Sequence, residues 1–535
     1  MLQCNKGTLF GLISLAAGVI SFFIFSDPAI LNPSNISWLM SGDPAQHYLG
    51  WSTFRHTPFM QWPVGLNYNY GMEISNSIVF TDSIPLIAIP LKYVEFLLPQ
   101  EFQYTGIWLF LCYLLQSLFG YKVFRELTGN RYFSLVGGFI LSFAPTFLLR
   151  MQGHYALCGQ FLILISFLLY LKPFSRLQWM LLICVTALVH AYLLMMVLSV
   201  FVAKVLVDVI NTKHFTYYAK SLILSMAACA FVMYAEGYFV ISNGLAAGGF
   251  GEFRADLLAL FNPYSPAFSK FSRVNNNQLM NGEGLAYLGF GVIMCLGSLV
   301  MMVFNKISNK EFSVYSSVVY VPCLTLLGLY VFAVSNVISL QGYEIYRINL
   351  PDFLVGPVNT FRASGRFMWP ISYFIMAAAL FSIHYLSKKS CVTIIVLIAL
   401  VQLFDTYKFG DLVRANIRTT EKTWNKNKIE GYSVDYSKFK SIAMYPPRDF
   451  QDKSKVIYLG ALHGLPVNAG YMARYDVVKE SMQNRDIDNA IAARDLKNNV
   501  IYFIGDSAKS LTDMCVKGFV CEEGFAGRMM FSNRR

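Results

Sequence analysis

The chain is short of charge. Only 14% of its 535 residues are Asp, Glu, Lys or Arg, while 55% are hydrophobic and 16% aromatic. A soluble domain carries roughly 25% charge, so a deficit of this size points to lipid as the main solvent. Lys and Arg still outnumber Asp and Glu, 43 to 31, giving a net charge of +12. No basic stripe with interleaved aromatics accompanies that excess, which argues against a nucleic-acid partner. There is no CxxC pair and no HExxH, so neither a structural nor a catalytic zinc is indicated, and no other cofactor is. The Gly-rich run Gly248-Gly249-Phe250-Gly251 has no strand–helix context and no Walker lysine, so it is not a nucleotide cradle. No internal repeat or low-complexity segment is found. Of ten cysteines, Cys112, Cys158, Cys184, Cys229, Cys295 and Cys323 lie inside apolar runs and read as small hydrophobes. Cys515 and Cys521 lie close together in the polar C-terminal part, where a disulfide and two free thiols both fit.

What the chain does have is long apolar runs. About 20 apolar residues cross a hydrocarbon core. Runs of that kind fall at 8–26, 104–122, 132–149, 156–171, 177–191, 192–210, 219–241, 285–304, 313–338, 367–386 and 391–407. The stretch 177–210 is too long for one span and is split near His190-Ala191-Tyr192. The first run has no small-x-small cleavage site after it and reads as an uncleaved helix. With the N-terminus inside, the inner loops carry Lys122 to Arg131, Lys172 to Arg176, Lys213 to Lys220, Lys306 to Lys310, and Lys388-Lys389. All are short and basic, as the positive-inside rule requires. That agreement needs 78–98 to be re-entrant or interfacial, which its Asp82, Pro85, Pro90, Lys92 and Glu95 favour.

The expected fold is thus an all-α multi-pass membrane protein with about eleven spans over 1–407 and outer loops at 27–103, 242–284 and 339–366. Residues 408–535 are expected to form a small C-terminal α/β domain on the outer, periplasmic side. KVIYLGAL and NVIYFIGD read there as strands and Asp486 to Lys497 as a helix.

Polar residues gather on the outer side. Ser41-Gly42-Asp43-Pro44-Ala45-Gln46-His47-Tyr48 follows the first span, with Arg55, His56, Glu73 and Asp82 beyond it. Asp before Pro is also a good helix N-cap, which needs no chemistry. Arg362 and Arg366 lie four apart at the outer mouth of the 367–386 run, on one face if the segment is helical. They suit a lipid phosphate, and equally suit an interfacial anchor beside Trp369. Arg150, Gln152, His154 and His190 sit at outer helix ends, and Glu283 in Asn281-Gly282-Glu283-Gly284 offers a second acidic contact.

The Gly42 to Tyr48 segment and Phe361-Arg362-Ala363-Ser364-Gly365-Arg366-Phe367, together with the loop layout, resemble the GT-C glycosyltransferases, including the phage-type glucosyltransferases that modify O-antigen. The resemblance implies a hexosyltransferase of the bacterial inner membrane with its site facing the periplasm. It implies a polyprenyl-phosphate-linked hexose, glucose foremost, as donor, and a lipid-linked or lipopolysaccharide glycan as acceptor. Asp43 would be the general base of an inverting attack. Arg362, Arg366 and Arg150 would hold the donor phosphate. His47, Arg55, Glu73, Asp82, His154 and Glu283 would line the substrate site. Relatives differ in whether they use a divalent cation. A transporter or flippase of lipid-linked glycans fits the layout less well, since it would show repeats or mid-membrane ionisable groups, whereas an O-antigen polymerase or ligase, which also works on lipid-linked sugars on the outer side, suits the large outer loops and their arginines as well.

Overall fold

A backbone in lipid must satisfy its own hydrogen bonds, which leaves apolar runs of this length the helix. The computed structural model describes residues 6–74, 77–241, 248–263, 269–271, 282–310, 316–424, 429, 434–447, 450, 452–472, 474–493, 495–505, 519–524 and 527–532. The helices in chain order begin with α1 (Lys6–Phe25), α2 (Gly42–Phe54), α3 (Pro85–Tyr93), α4 (Thr105–Thr128), α5 (Arg131–Leu141), α6 (Pro145–Arg150) and α7 (Phe161–Leu171). Then come α8 (Arg176–Ala187), α9 (Ala191–Thr212), α10 (Phe215–Glu236), α11 (Phe290–Ile293), α12 (Leu296–Ser308) and α13 (Ser317–Val334). The last are α14 (Asp352–Asn359), α15 (Met368–Leu386), α16 (Cys391–Thr406), α17 (Lys408–Thr423), α18 (Lys453–Leu462) and α19 (Val477–Ala492). Strands are few: β1 (Val337–Leu340), β2 (Tyr343–Arg347), β3 (Ser441–Tyr445), β4 (Val500–Ile504), β5 (Phe519–Gly524) and β6 (Gly527–Ser532).

Nine helical stretches among the described residues are long and apolar enough to cross a membrane. The chain is a helical membrane protein. Nine falls short of the eleven expected, because 156–171 and 177–191 form helices of only 11 and 12 residues, α7 and α8. The causes are local. Ahead of α7 the chain is spent on a buried 3-10 turn, Tyr155–Cys158, whose Tyr155 carbonyl accepts the Trp108 indole N–H at 2.8 Å. After α8 the chain leaves the helix so that His190 caps α9, its Nδ1 accepting the Tyr192 N–H at 3.1 Å. Segment 78–98 breaks into two 3-10 turns around the nine-residue α3, and none of these pieces reaches membrane thickness.

Two compact units divide the chain. The first comprises residues 1–31, 107–229 and 248–416. Its helices meet at small residues, the usual device where lipid supplies no hydrophobic drive. A Cβ at Gly18 would lie 2.7 Å from the backbone of Tyr113 and Leu114, and one at Gly138 2.6 Å from that of Ser117 and Tyr121. Buried polar groups cross-link the helices: Gln116 Nε2 donates to the Tyr373 hydroxyl, which donates to Gln160 Oε1, each at 2.7 Å. At the end of α16 the fully buried Asp405 carboxylate accepts from the Lys270 and Phe290 amides and the Tyr287 hydroxyl at 2.9–3.0 Å, and from Ser269. It ties both 269–271 and 287–290 to one helix.

The second unit comprises residues 32–106, 230–247 and 417–535, so the first outer loop and the C-terminal part fold together. Its sheet has the order β3-β4-β6-β5, with β3 and β4 parallel and the other pairs antiparallel. NVIYFIGD contains β4, as expected. KVIYLGAL does not form a strand; it is α18. Strand propensity in Val456-Ile457-Tyr458 yields to packing, since the helix buries Val456 through Ala461 and lies against α2. The helix expected at 486–497 is α19, which starts earlier because Asp476 Oδ1 accepts the Val478 and Lys479 amides at 3.1 Å. Cys515 and the Cys521 side chain lie outside the described residues.

Candidate functional site

In the first unit, three separate segments bring charged side chains to one place. Proline at the first position starts α6, which ends at Arg150, and a short turn leads on to His154. Gly282–Gly284 is a single 3-10 turn carrying Glu283. Ser364–Phe367 is another, carrying Arg366 into α15. Glycine lets these backbones touch. A Cβ at Gly284 would sit 2.1 Å from the Arg254 carbonyl oxygen, and one at Gly365 would sit 2.6 Å from the Gly284 Cα. The Gly365 amide donates to the Phe253 carbonyl at 2.9 Å. With Gly284 and Gly365 in contact, the neighbouring Glu283 and Arg366 must meet.

They meet as an ion cluster. Arg366 Nε lies 2.6 Å from Glu283 Oε2. Arg150 Nη1 reaches both carboxylate oxygens, at 3.1 and 3.0 Å, and its Nη2 donates to the Gly282 carbonyl at 3.4 Å. His154 Nε2 lies 3.3 Å from Oε1. The Arg150 side chain is 3% exposed and that of Glu283 14%. Aromatic faces floor the cluster, with Arg150 5.6 Å from the Trp369 ring centroid and Arg366 4.6 Å from that of Tyr192. Burial pushes the Glu283 carboxyl up, but the two guanidinia and the His154 hydrogen bond outweigh it and hold it well below the usual carboxylate range. The buried Arg150 Nε has no hydrogen-bond partner among the described residues. The arrangement is built to receive an anion. Glu283 is neutralised by arginines and is not placed to ligate a cation.

Arg362 stands apart from this cluster. The segment is not helical until Ser364, so the four-residue spacing does not put the two arginines on one face. Its guanidinium lies 5.2 Å from the Phe253 ring centroid and 3.5 Å from the Gly248 carbonyl.

The remaining expected residues belong to the second unit. The helix α2 starts at Gly42, which has a φ of +59°, and its cap is Ser41, so Asp43 is a first-turn residue rather than the N-cap. Asp43 is half-buried. His47 is buried, with Nδ1 2.8 Å from the carbonyl of Asp82, whose backbone is left-handed. A ring nitrogen of His47 and a carboxylate oxygen of Asp82 lie within 4.8 Å, close enough to share one ion. Arg55 is committed to chain carbonyls, donating to Pro99 at 2.9 Å and Gln100 at 3.1 Å, which makes it a tether for that loop. Glu73 is exposed. Sequence reasoning missed Tyr192 as the floor under Arg366, and the glycines that join Glu283 to Arg366. The Gly282-Glu283-Gly284 and Ser364-Gly365-Arg366 patterns, each a charged residue beside glycine, were the available signal.

Fold and site together define a class: a polytopic helical membrane protein with a cationic Arg–Glu–Arg–His cluster at one end of its helices. Residues 15–407 match the family model described as a domain of unknown function (DUF6311), and residues 435–523 match the DUF6311 C-terminal domain. The chain belongs to that family. No curated protein matches it.

Proposed function

We propose that this protein is a membrane glycosyltransferase that moves a hexose, glucose foremost, from a polyprenyl-phosphate carrier to a periplasmic glycan such as O-antigen. The observation that carries the reading is the convergence of Arg150, Arg366, Glu283 and His154 at the ends of α6 and α15. By the charge bias of the loops this end faces the periplasm, and α7 and α8 complete eleven crossings as a short hairpin.

In this reading the acceptor hydroxyl loses its proton to Asp43 as its oxygen bonds to the anomeric carbon. The bond from that carbon to the carrier phosphate breaks, and the electron pair leaves with the phosphate. A phosphate needs no strong acid, but it does need positive charge where its own charge builds up, and Arg150 and Arg366 supply it. Glu283 holds the two guanidinia in place before the donor arrives. Attack opposite the leaving group inverts the anomeric centre. Nothing in the step requires a nucleotide.

The test is expression of the wild type and Asp43→Asn in a bacterium of defined O-antigen, followed by mass spectrometry of the glycan. Asparagine keeps the shape and the local hydrogen bonding but removes the base. The expected result is one added hexose with the wild type and none with the variant at equal membrane abundance. Addition at the wild-type rate by the variant removes Asp43 from the mechanism.

A further inference from the structure

Away from the ion cluster, the first unit contains a second feature. A cavity, open at its mouth, lies between α4, α7, α9, α13 and α15, with a largely apolar lining that includes Phe167, Tyr170, Val200, Leu326, Phe374 and Phe381. Its depth can be read along α15. Phe374 and Phe381 come eight and fifteen residues after Arg366, roughly 12 and 22 Å further along the axis at 1.5 Å per residue. The cavity therefore sits towards the opposite end of the helices from the cluster. Its lining on α4 and α7, Val123, Leu127, Tyr170 and Leu171, belongs to the last turns of those two helices.

Those same helix ends carry more cations than carboxylates, Lys122 and Arg125 against Glu126 on α4 and Lys172 at the end of α7. Lys122 precedes Val123, and Lys172 follows Leu171 as the C-cap of α7. Lys122 rests over the Phe119 ring at 4.9 Å, and neither lysine has a carboxylate in ion-pair range among the described residues. Among the described residues, a buried guanidinium nitrogen of Arg125, on the same turn of α4, and the buried Tyr170 hydroxyl have no hydrogen-bond partner. An excess of cations at the rim of an apolar slot suits an anionic group. Basic pockets between membrane helices on the inner side are the recognised seats of anionic headgroups.

We infer that this cavity is a binding site for an anionic membrane phospholipid, with an acyl chain between α7, α9, α13 and α15 and the headgroup phosphate on Lys122 and Lys172. The isoprenoid tail of a sugar carrier does not suit it, because the tail carries no charge at its far end to answer the two lysines. The occupant comes from the surrounding bilayer, and the site is separate from the glycosyl-transfer reading: either can fail without the other.

The test uses full-length protein purified in mild detergent and reconstituted into nanodiscs of equimolar phosphatidylcholine and phosphatidylglycerol. Lipid retained after brief delipidation is read by native mass spectrometry. Wild type should retain one phosphatidylglycerol in preference to phosphatidylcholine by about tenfold. Lys122→Gln with Lys172→Gln should abolish the preference. Ala378→Phe, which fills the slot from α15, should lose the lipid of either kind while helix content by circular dichroism stays at the wild-type level. Equal retention of the two lipids by wild type, or undiminished preference in the lysine variant, overturns the proposal. Retention of an isoprenoid carrier in place of the phospholipid, in protein from native membranes, overturns it as well.

Discussion

Glu283 is the keystone of the ion cluster, and Glu283→Gln is the perturbation that shows it. The substitution preserves size but removes the charge that separates Arg150 from Arg366. Two guanidinia, one of them only 3% exposed, then face each other with a neutral amide between them. Breaking a buried pair by removing one partner costs roughly 3–5 kcal/mol, because the charge left behind has no compensation. For a unit of this size that corresponds to a fall in Tm of roughly 4–7 °C. Tryptophan fluorescence melts in detergent read it directly. Arg366→Gln on top of Glu283→Gln should recover part of the loss, a coupling that only contacting groups show. The pH dependence carries a sign. Because the folded carboxyl is held below its ordinary range, its stabilisation is complete above that range and is lost as pH falls through the folded value. The Gln variant should lack this acid-side loss. A variant that melts within about 1 °C of wild type would overturn this reading of Glu283, since a loss that small is under about 0.7 kcal/mol.

Further outcomes follow from the same geometry. Arg362→Gln should leave stability within about 0.5 kcal/mol of wild type, since among the described residues its guanidinium has a ring face and one long carbonyl contact, whereas Arg366→Gln should lower the melting temperature clearly. Asp405→Asn should cost roughly 3 kcal/mol in chemical denaturation, because its amide would face the buried Tyr287 hydroxyl and Phe290 N–H donors. Burial brings the Lys92 ammonium down from 10.5 to about 8, against the opposing charge of Glu95. Between those values the unfolded chain holds the proton and the folded one does not, so this group makes the protein gain stability as pH rises from 8 to 10.5. Lys92→Met should flatten that rise in melts taken at pH 8 and pH 10.

The membrane helices were legible because hydropathy and loop charge are local signals. Where the reading departed from the structure, a distant contact decided. α7 and α8 are shorter than a span because Trp108 and the His190 cap hold the chain at their ends, and neither constraint is visible in an apolar run. KVIYLGAL has strand propensity at Val456, Ile457 and Tyr458, yet its neighbour α2 makes it a helix. The cluster residues Arg150, His154, Glu283 and Arg366 were each identifiable as polar groups at outer helix ends. That Arg150 pairs with Glu283 across 133 positions was not readable, because glycine contacts at 284 and 365 create the pairing. Arg362 was grouped with Arg366 on the assumption of a helix that starts two residues too late to include it.

The most direct test of glycosyl transfer uses purified protein in proteoliposomes containing a polyprenyl-phosphate hexose and the delipidated acceptor glycan. Released polyprenyl phosphate and glycosylated acceptor are both measured over time. The account predicts that wild type produces the two in equal amounts and that Asp43→Asn produces neither above background. Wild type that leaves both donor and acceptor unchanged, or an Asp43→Asn variant as fast as wild type, would contradict it.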